Sequence, residues 1–180
     1  MDLEKTKSFI RNLDKNYYCD EFLPGGLAKL KPLVDETGVI ANLKHILPEY
    51  PRKRAIRRME TNIGSAHFTL YKLAWLEKAT YRRDYYSFLK YKFELIDMFC
   101  TALFALNREW YSDEKRLLQK IQRMQFAPAC VGRRIESIIM HAGANGHLGN
   151  CLRNIKKLFG ELVTIAVAQY PEIELPRGWR

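Results

Sequence analysis

The sequence predicts an all-α protein that folds as an up-and-down four-helix bundle behind a short irregular N-terminal region. Its 180 residues are enough for one domain with a substantial core, and an apolar content of 47% excludes a disordered chain. Apolar residues between positions 56 and 73 recur at steps of three and four, the spacing of one helix face. Residues 98–106 contain Thr101 as their only polar side chain, so this stretch is expected inside a helical core.

The N-terminal region is predicted to be short and irregular. Residues 3–22 carry apolar side chains at helical spacing and indicate an amphipathic helix, which the Pro-Gly-Gly sequence at 24–26 should stop. Residues 27–34 indicate an extended segment that enters a turn. We therefore divide the chain into an N-terminal helix and extended segment, residues 1–38, and a helical bundle domain, residues 39–180.

The bundle domain is predicted to begin with a short helix that ends before Pro48. Pro51 suits the first turn of a long helix that runs to about Thr80. The next segment has apolar side chains over most of its circumference and should be the central element. It covers about residues 83–106, and further helices are predicted for residues 113–124, for 128–140, and from 148 to a stop at Pro171. The tail is expected to be extended and to pack through Trp179.

Several classes of protein are excluded by composition. No stretch approaches the roughly 20 consecutive apolar residues that a membrane-spanning helix needs, and the charged N-terminal sequence does not resemble a secretory signal. The four cysteines are widely spaced, and with four scattered histidines they give no zinc pattern. We therefore expect a cytoplasmic protein with no membrane partner and no metal ligands of its own.

The net charge of +10 predicts an anionic partner such as nucleotide phosphates, nucleic acid or an acidic protein surface. The densest basic cluster lies at residues 52–58, and smaller ones are Arg82-Arg83 and Arg133-Arg134. Five cations at the start of a helix oppose the helix dipole, so they require an anion, acidic neighbours or full solvation.

A candidate site lies where the buried segment at residues 98–106 ends. Polar and ionisable side chains follow it directly, and a second helix is predicted to start at a Ser112/Asp113 cap. The candidate residues are Asn107, Arg108, Tyr111, Glu114 and Lys115. Two interpretations stay open. The residues form a ligand site, or they form a capped corner between two helices and their polar groups are simply solvated.

Three segments, taken in their order along the chain, form a pattern that can be compared with a known family. They are the turn at residues 33–38 with its short helix, the long helix after Pro51, and the sequence from Ala102 to Arg108 with Tyr111 and Glu114-Lys115. Over about residues 27–170, they resemble the C-terminal half of antibiotic-type nucleotidyltransferases, the group of the kanamycin and lincosamide enzymes. The resemblance implies a helical substrate-binding domain, which in that family follows an α/β catalytic domain, helps to hold the acceptor and closes over the nucleotide.

The sequence departs from that family in the catalytic motifs. Such enzymes carry a Gly-Ser turn and an Asp-x-Asp pair on a strand, whose carboxylates hold Mg²⁺ against the triphosphate. Here Gly64-Ser65 lies within a helical pattern and no Asp-x-Asp follows, so residues 1–38 are at most a remnant of a catalytic domain. The resemblance therefore implies that this chain has no catalytic residues and is inactive alone. A catalytic domain or subunit, Mg²⁺ and a nucleoside triphosphate would complete the enzyme, whether the chain is a fragment, a separate subunit or a degenerate enzyme.

The resemblance and the polar corner together suggest roles for the candidate residues. Lys115 with Arg108 would face phosphate, because a lysine gives a point charge and an arginine a fork of donors. Asn107 and Tyr111 would hydrogen-bond the nucleotide or the acceptor. Glu114 would bind an amine on a cationic acceptor or serve only in the helix cap.

Two alternatives belong to other functional classes. The first is a helical-bundle ribonuclease or RNA-binding module, whose signature is an arginine and a histidine separated by four to six residues; Arg134 and His141 match it with six residues between them. The second is a bundle that only mediates assembly with a catalytic domain or, as a homodimer, with a second copy. Its candidate surface is a second apolar flank formed by Phe68, Tyr71 and Trp75.

Overall fold

The protein is described by a computed structural model over residues 3–13, 22–111, 115–141 and 148–179, without the side chains of residues 22 and 141. All regular structure within these ranges is helical, which confirms the predicted all-α class. The helices are α1 (Leu3–Arg11), α2 (Phe22–Lys29), α3 (Val39–Ile46), α4 (Arg52–His67), α5 (Trp75–Arg82), α6 (Tyr85–Leu106), α7 (Leu117–Ile121), α8 (Val131–His141) and α9 (Leu148–Gln169). A π-helical turn at Phe68–Lys72 lies between α4 and α5.

Helix α6 is the centre of the fold. It packs against α4, α5, α7 and α9, and α4 is its most extensive neighbour. The five residues from Ala102 to Leu106 are each exposed by 1% or less, so the last turns of α6 are enclosed on all sides. The predicted burial of this segment and its central position are confirmed.

The N-terminal region is more helical than predicted. Helix α2 runs through the Pro-Gly-Gly sequence at 24–26, and residues 27–29 are helical rather than extended. Proline is tolerated here because Pro24 lies in the first turn of α2, where a backbone N–H has no partner within the helix. Of the predicted helix over residues 3–22, the part up to Arg11 forms α1, while residues 14–21 lie outside the described ranges.

The predicted turn before α3 is confirmed. Gly38 has a left-handed backbone with φ of 65°, a conformation that glycine adopts without strain. The Asp35 carboxylate accepts hydrogen bonds from the backbone N–H groups of Ile40 (3.2 Å) and Ala41 (2.9 Å). This side chain therefore caps the start of α3, which itself ends before Pro48 as expected.

The predicted long helix from Pro51 to Thr80 is interrupted. Helix α4 ends at His67, the π-helical turn follows, and Ala74 is left-handed with φ of 50° before α5 begins. Leu70 and Leu76 are exposed by 1% and 0%, yet on an ideal α-helix two positions six residues apart point about 240° apart. The break turns α5 so that both side chains reach the core.

The C-terminal helices agree with the prediction in part. Helix α7 is only Leu117–Ile121, and residues 112–114, where its cap was predicted, lie outside the described ranges. Helix α8 begins three residues after Pro128, and α9 spans the predicted segment. Trp179 packs as expected, with its ring centroid 5.3 Å from that of Tyr71 and 5.8 Å from that of Phe159.

Candidate functional site

Asn107 joins the end of α6 to the segment before α8. Its side-chain amide donates to the main-chain oxygens of Leu103 (2.8 Å) and Phe126 (3.0 Å), and its Oδ1 atom accepts from the Phe126 N–H (2.9 Å). Both amide hydrogens are thus engaged with backbone groups. In this structure Asn107 holds one wall of the site in place rather than offering free donors to a ligand.

Arg108 directly follows Asn107 and has a left-handed backbone with φ of 53°. Its Nε atom donates to the Tyr50 main-chain oxygen at 2.8 Å, which fixes the plane of the guanidinium group. One terminal nitrogen lies 3.9 Å from a carboxylate oxygen of Glu49, whose side chain is 96% exposed. A pair so open to water is weak, so the outer edge of the guanidinium can exchange this carboxylate for another anion.

An open cleft of about 530 Å³ lies beside Arg108. Its walls are partly apolar and partly polar, and its lining residues are Ala28, Leu47, Pro48, Glu49, Tyr50, Asn107, Arg108 and Trp110. The Tyr50 and Trp110 rings pack with centroids 4.6 Å apart, and the Arg54 guanidinium carbon is 5.3 Å from the Trp110 centroid. The cleft thus combines one half-exposed arginine with the edges of two largely buried aromatic side chains.

The structure does not bring the other predicted site residues to this cleft. Tyr111 packs into the core, with its ring 5.1 Å from that of Phe104. Lys115 is exposed, and its neighbour Arg116 lines a different open cleft of about 600 Å³ between α7 and α8. Glu114 lies outside the described residues. Of the five candidates, only Asn107 and Arg108 therefore share one site.

The basic cluster at residues 52–58 has acidic neighbours. The Arg52 guanidinium donates twice to the Glu172 carboxylate, at 3.0 and 2.7 Å, and lies over the Tyr170 ring at 4.6 Å. Arg54 is fully buried and donates to the Leu13 main-chain oxygen at 3.1 Å. Lys53 and Arg57 line a cleft together with the carboxylates of Glu60, Glu172 and Glu174. Local carboxylates thus compensate much of this cluster, so it does not require an external anion.

Tyr170 connects this cluster to the end of α6. Its hydroxyl donates to the Leu106 main-chain oxygen at 3.3 Å. Burial raises the pKa of Tyr170, whereas the nearby charges of Arg108 and Arg52 act to lower it. Arg52 and Arg108 are therefore both close enough to this buried tyrosine for their positive charges to act on it.

Arg134, one member of the ribonuclease pair, is held in a two-bond ion pair. Its terminal nitrogens donate to the Glu161 carboxylate of α9 at 2.5 and 3.0 Å. This pairing links α8 to α9 and leaves little of the guanidinium for a substrate. The His141 side chain lies outside the described residues, so the pair itself is not described.

Lys92 is, like Arg54, a buried cation in the described part of the chain. Lys92 is 1% exposed, donates to the Ile139 main-chain oxygen at 3.3 Å and lies 4.5 Å from the Phe93 ring centroid. Burial lowers the pKa of Lys92, and the nearby Cys151 acts in the opposite direction. Burial also raises the pKa of Cys151 to about 11, which disfavours the thiolate that would act as a nucleophile or metal ligand.

Neither a metal site nor a membrane span is evident in the described ranges. No three of His, Cys, Asp or Glu in residues 3–13, 22–111, 115–141 and 148–179 are grouped in a way that could hold a metal ion. None of the helices described there could span a bilayer, because none combines sufficient length with sufficient apolar character.

Two residues that shape the cleft were not predicted from the sequence. Tyr50 supplies the carbonyl that orients Arg108, and the largely buried Trp110 packs against Tyr50 in the cleft wall. The available signal was an aromatic residue between Pro48 and Pro51, a segment too short for a helix and well placed to expose a carbonyl.

Comparisons with models of protein families, with curated proteins and with solved structures found no match for this chain.

Proposed function

We propose that this chain is the helical substrate-binding domain of a nucleotidyltransferase-like protein and that Arg108 holds a phosphate group of the nucleotide. The observation that carries the proposal is the arrangement of Arg108 in its cleft. The Tyr50 carbonyl orients the guanidinium through Nε, and among the described residues its outer edge has a weak pair with exposed Glu49. An arginine held by one nitrogen can offer its remaining N–H groups to phosphate oxygens as a fork.

The cleft also suits the rest of a nucleotide. Its volume of about 530 Å³ lies within the range of small-molecule sites, and the largely buried Tyr50 and Trp110 contribute apolar edges to its lining. Asn107 supports the wall through its bonds to Phe126. Lys115 and Tyr111 do not line the cleft. Lys115 is exposed, and we keep it as a proposed second phosphate contact, with Tyr111 and Glu114 as proposed acceptor contacts, for parts of the substrate that lie outside the cleft.

The proposal requires a partner that performs the chemistry. Phosphoryl and nucleotidyl transfer need carboxylates that hold Mg²⁺, and no three His, Cys, Asp or Glu side chains of the described residues are grouped in a way that could hold a metal ion. A catalytic domain or subunit would supply those ligands together with the metal-bound nucleoside triphosphate. We therefore expect this chain to be inactive alone and the assembled protein to act in the cytoplasm as a Mg²⁺-dependent nucleotidyltransferase.

Calorimetric titration of the chain with ATP and Mg²⁺, and separately with adenosine, tests this proposal. We expect ATP to bind and adenosine to bind much more weakly, because the charged contact is to phosphate. Lys115→Ala should weaken ATP binding if Lys115 is the second phosphate contact, and unchanged affinity would remove it from the site. Equal binding of ATP and adenosine, or no binding of either, would contradict the proposal for this chain.

A second candidate function, assembly through the bundle surface, is favoured by one specific observation. Phe68, Tyr71 and Trp75 are 53%, 43% and 39% exposed, so the predicted second flank is open to solvent. Exposed aromatic side chains of this size are typical of protein interfaces. Sedimentation of the wild-type chain and of Phe68→Ser should then show a dimer that the substitution weakens. A monomer at all concentrations, with or without the substitution, would exclude a homodimer formed by this surface.

A further inference from the structure

Helices α5 and α6 form a hairpin with a well-defined tip. Arg83 is left-handed with φ of 55°, and the Asp84 N–H donates to the Ala79 main-chain oxygen at 2.9 Å, which closes α5. The Asp84 carboxylate then caps α6 by accepting from the Ser87 N–H (3.0 Å) and the Ser87 hydroxyl (2.6 Å). Further from the tip, the Trp75 and Tyr91 rings stack with centroids 4.7 Å apart. The tip is thus fixed by hydrogen bonds and by packing behind it.

Three tyrosines project from this tip. Tyr81 is 90% exposed, Tyr86 is 80% exposed and Tyr85 is 44% exposed. Their side chains make no hydrogen bond, ion pair or ring contact with the described part of the chain. Packing of the fold therefore does not explain why aromatic residues occupy these positions. Arg82 and Arg83 lie between them in sequence, and both are exposed.

The surface around the tip is basic, and its own acids neutralise it only in part. Its exposed cations are Lys72, Lys78, Arg82, Arg83 and Lys90, and none forms an ion pair with the residues described. The segment from residue 68 to residue 93 has two acids, Glu77 and Asp84. Glu77 lies 3.8 Å from Lys156, and Asp84 is engaged with Ser87. This contrasts with the start of α4, where Arg52 pairs with Glu172.

The exposed apolar side chains of this segment are almost all aromatic. Seven of them are aromatic and only Leu89 is aliphatic; the seven are Phe68, Tyr71, Trp75, Tyr81, Tyr85, Tyr86 and Phe93. Aromatic residues are also enriched at protein interfaces, but lysines are depleted there, whereas this surface carries three exposed lysines. Aromatic rings interspersed with unpaired cations are instead the features with which proteins bind single strands, through stacking on bases and contacts to phosphates.

We propose that the tip of the α5–α6 hairpin binds single-stranded nucleic acid, with Tyr81 and Tyr86 stacking on bases and Arg82 and Arg83 contacting phosphates. The surface is defined by residues 81–86, and Lys78 of α5 adds a further positive charge beside it. It does not include Arg108, so this inference stands or falls independently of the nucleotide-binding proposal. The single strand is a separate ligand from the nucleotide in the cleft.

The test is fluorescence anisotropy of the full chain with a labelled 12-nucleotide oligouridylate, with an oligothymidylate of equal length and with a 12-base-pair duplex. We expect both single strands to bind more tightly than the duplex. The double substitution Tyr81→Ala/Tyr86→Ala should weaken single-strand binding about tenfold or more, because stacking on two bases is lost. The matched change Tyr81→Phe/Tyr86→Phe keeps both rings and should bind like the wild type.

The charged contacts have a test of their own. Arg82→Gln should weaken binding at low salt and should make the logarithmic salt slope shallower by about 0.7, the value for one phosphate contact on a single strand. Lys53→Gln, within the compensated cluster at the start of α4, is the matched control and should change neither quantity. Arg108→Ala should leave oligonucleotide binding unchanged, whatever it does to ATP.

Four outcomes would overturn the proposal. The first is no binding of either oligonucleotide at low salt. The second is duplex binding as tight as single-strand binding, and the third is unchanged affinity in Tyr81→Ala/Tyr86→Ala. The fourth is that oligonucleotides do not bind, while the wild type binds anionic phospholipid vesicles or forms a concentration-dependent dimer and the double substitution abolishes this. The tip would then be assigned to a lipid surface in the first case and to a second copy of the chain in the other. All substituted side chains are exposed, and circular dichroism should show wild-type helix content in each variant.

Discussion

The Arg108 side chain is bonded through Nε to the main-chain oxygen of Tyr50, at 2.8 Å and across 58 positions of sequence. This contact joins the end of the central helix α6 to the short segment that precedes α4. It requires the left-handed backbone of Arg108, which turns the chain away from the buried helix at φ of 53°. The hydrogen bond fixes one edge of the guanidinium and leaves the other edge facing the cleft, where a phosphate group can be bound.

The hydrogen bonds of Asn107 predict a structural effect that is separate from ligand binding. Asn107→Ala removes the partners of both the N–H and the oxygen of Phe126, and an unsatisfied half-buried backbone group costs about 1–3 kcal/mol. We expect chemical denaturation to show a loss of this size. Asn62→Ala is the matched control, since within the described residues the Asn62 side chain bonds to the Arg58 oxygen of its own helix alone, and its loss should change stability by much less. Equal losses would contradict this role for Asn107.

The break between α4 and α5 predicts an unusual stabilising substitution. Ala74 is left-handed with φ of 50°, a conformation that costs a residue with a Cβ atom about 1–2 kcal/mol. Ala74→Gly should therefore raise the free energy of unfolding, by about 0.5–1 kcal/mol after the added flexibility of the unfolded chain is subtracted. The same change at Ala79, within α5, should lower it. Thermal unfolding of both variants, compared with the wild type, measures these two changes in stability. Destabilisation by Ala74→Gly would argue against the observed break.

Burial of His67 predicts a loss of stability in acid. The pKa of His67 is lowered from its ordinary value of 6.5, mainly by burial and further by Lys72. Below about pH 6.5 the unfolded chain therefore binds a proton that the folded chain resists, and the free energy of unfolding should fall by at most about 1.4 kcal/mol per pH unit. His67→Phe should remove this part of the pH dependence, as measured by denaturation between pH 7 and pH 5. His45→Gln, at an exposed position, should retain it.

The sequence predicts those parts of the fold that depend on local composition. The apolar run at residues 98–106 can be stable only inside a core, and Asp35 with Gly38 forms a turn through its own neighbours. The break after His67 is not predictable in this way, because a helix-like pattern of apolar residues continues across it. We attribute the break to the packing of side chains against α6, which is a tertiary effect. The same holds for α2, in which the Pro-Gly-Gly sequence is tolerated within the helix.

The candidate site could be predicted only at its centre. The polar corner after the buried helix contains Asn107 and Arg108, and both line one cleft. The partners that define their chemistry, Tyr50 and Phe126, are distant in sequence and could not be assigned from spacing. Lys115 follows Arg108 by seven residues, but the chain between them does not return it to the cleft lining.

The most direct measurement is the affinity of the chain for ATP with Mg²⁺, compared between the wild type, Arg108→Ala and Arg123→Ala. Arg123 is also exposed but does not line the cleft, so its substitution controls for the loss of one positive charge. We predict that Arg108→Ala weakens binding about ten- to a hundredfold, the effect of losing a charged hydrogen bond to phosphate, whereas Arg123→Ala changes it by less than about twofold. Equal affinity of all three proteins, or equal weakening in both variants, would contradict a phosphate site at Arg108.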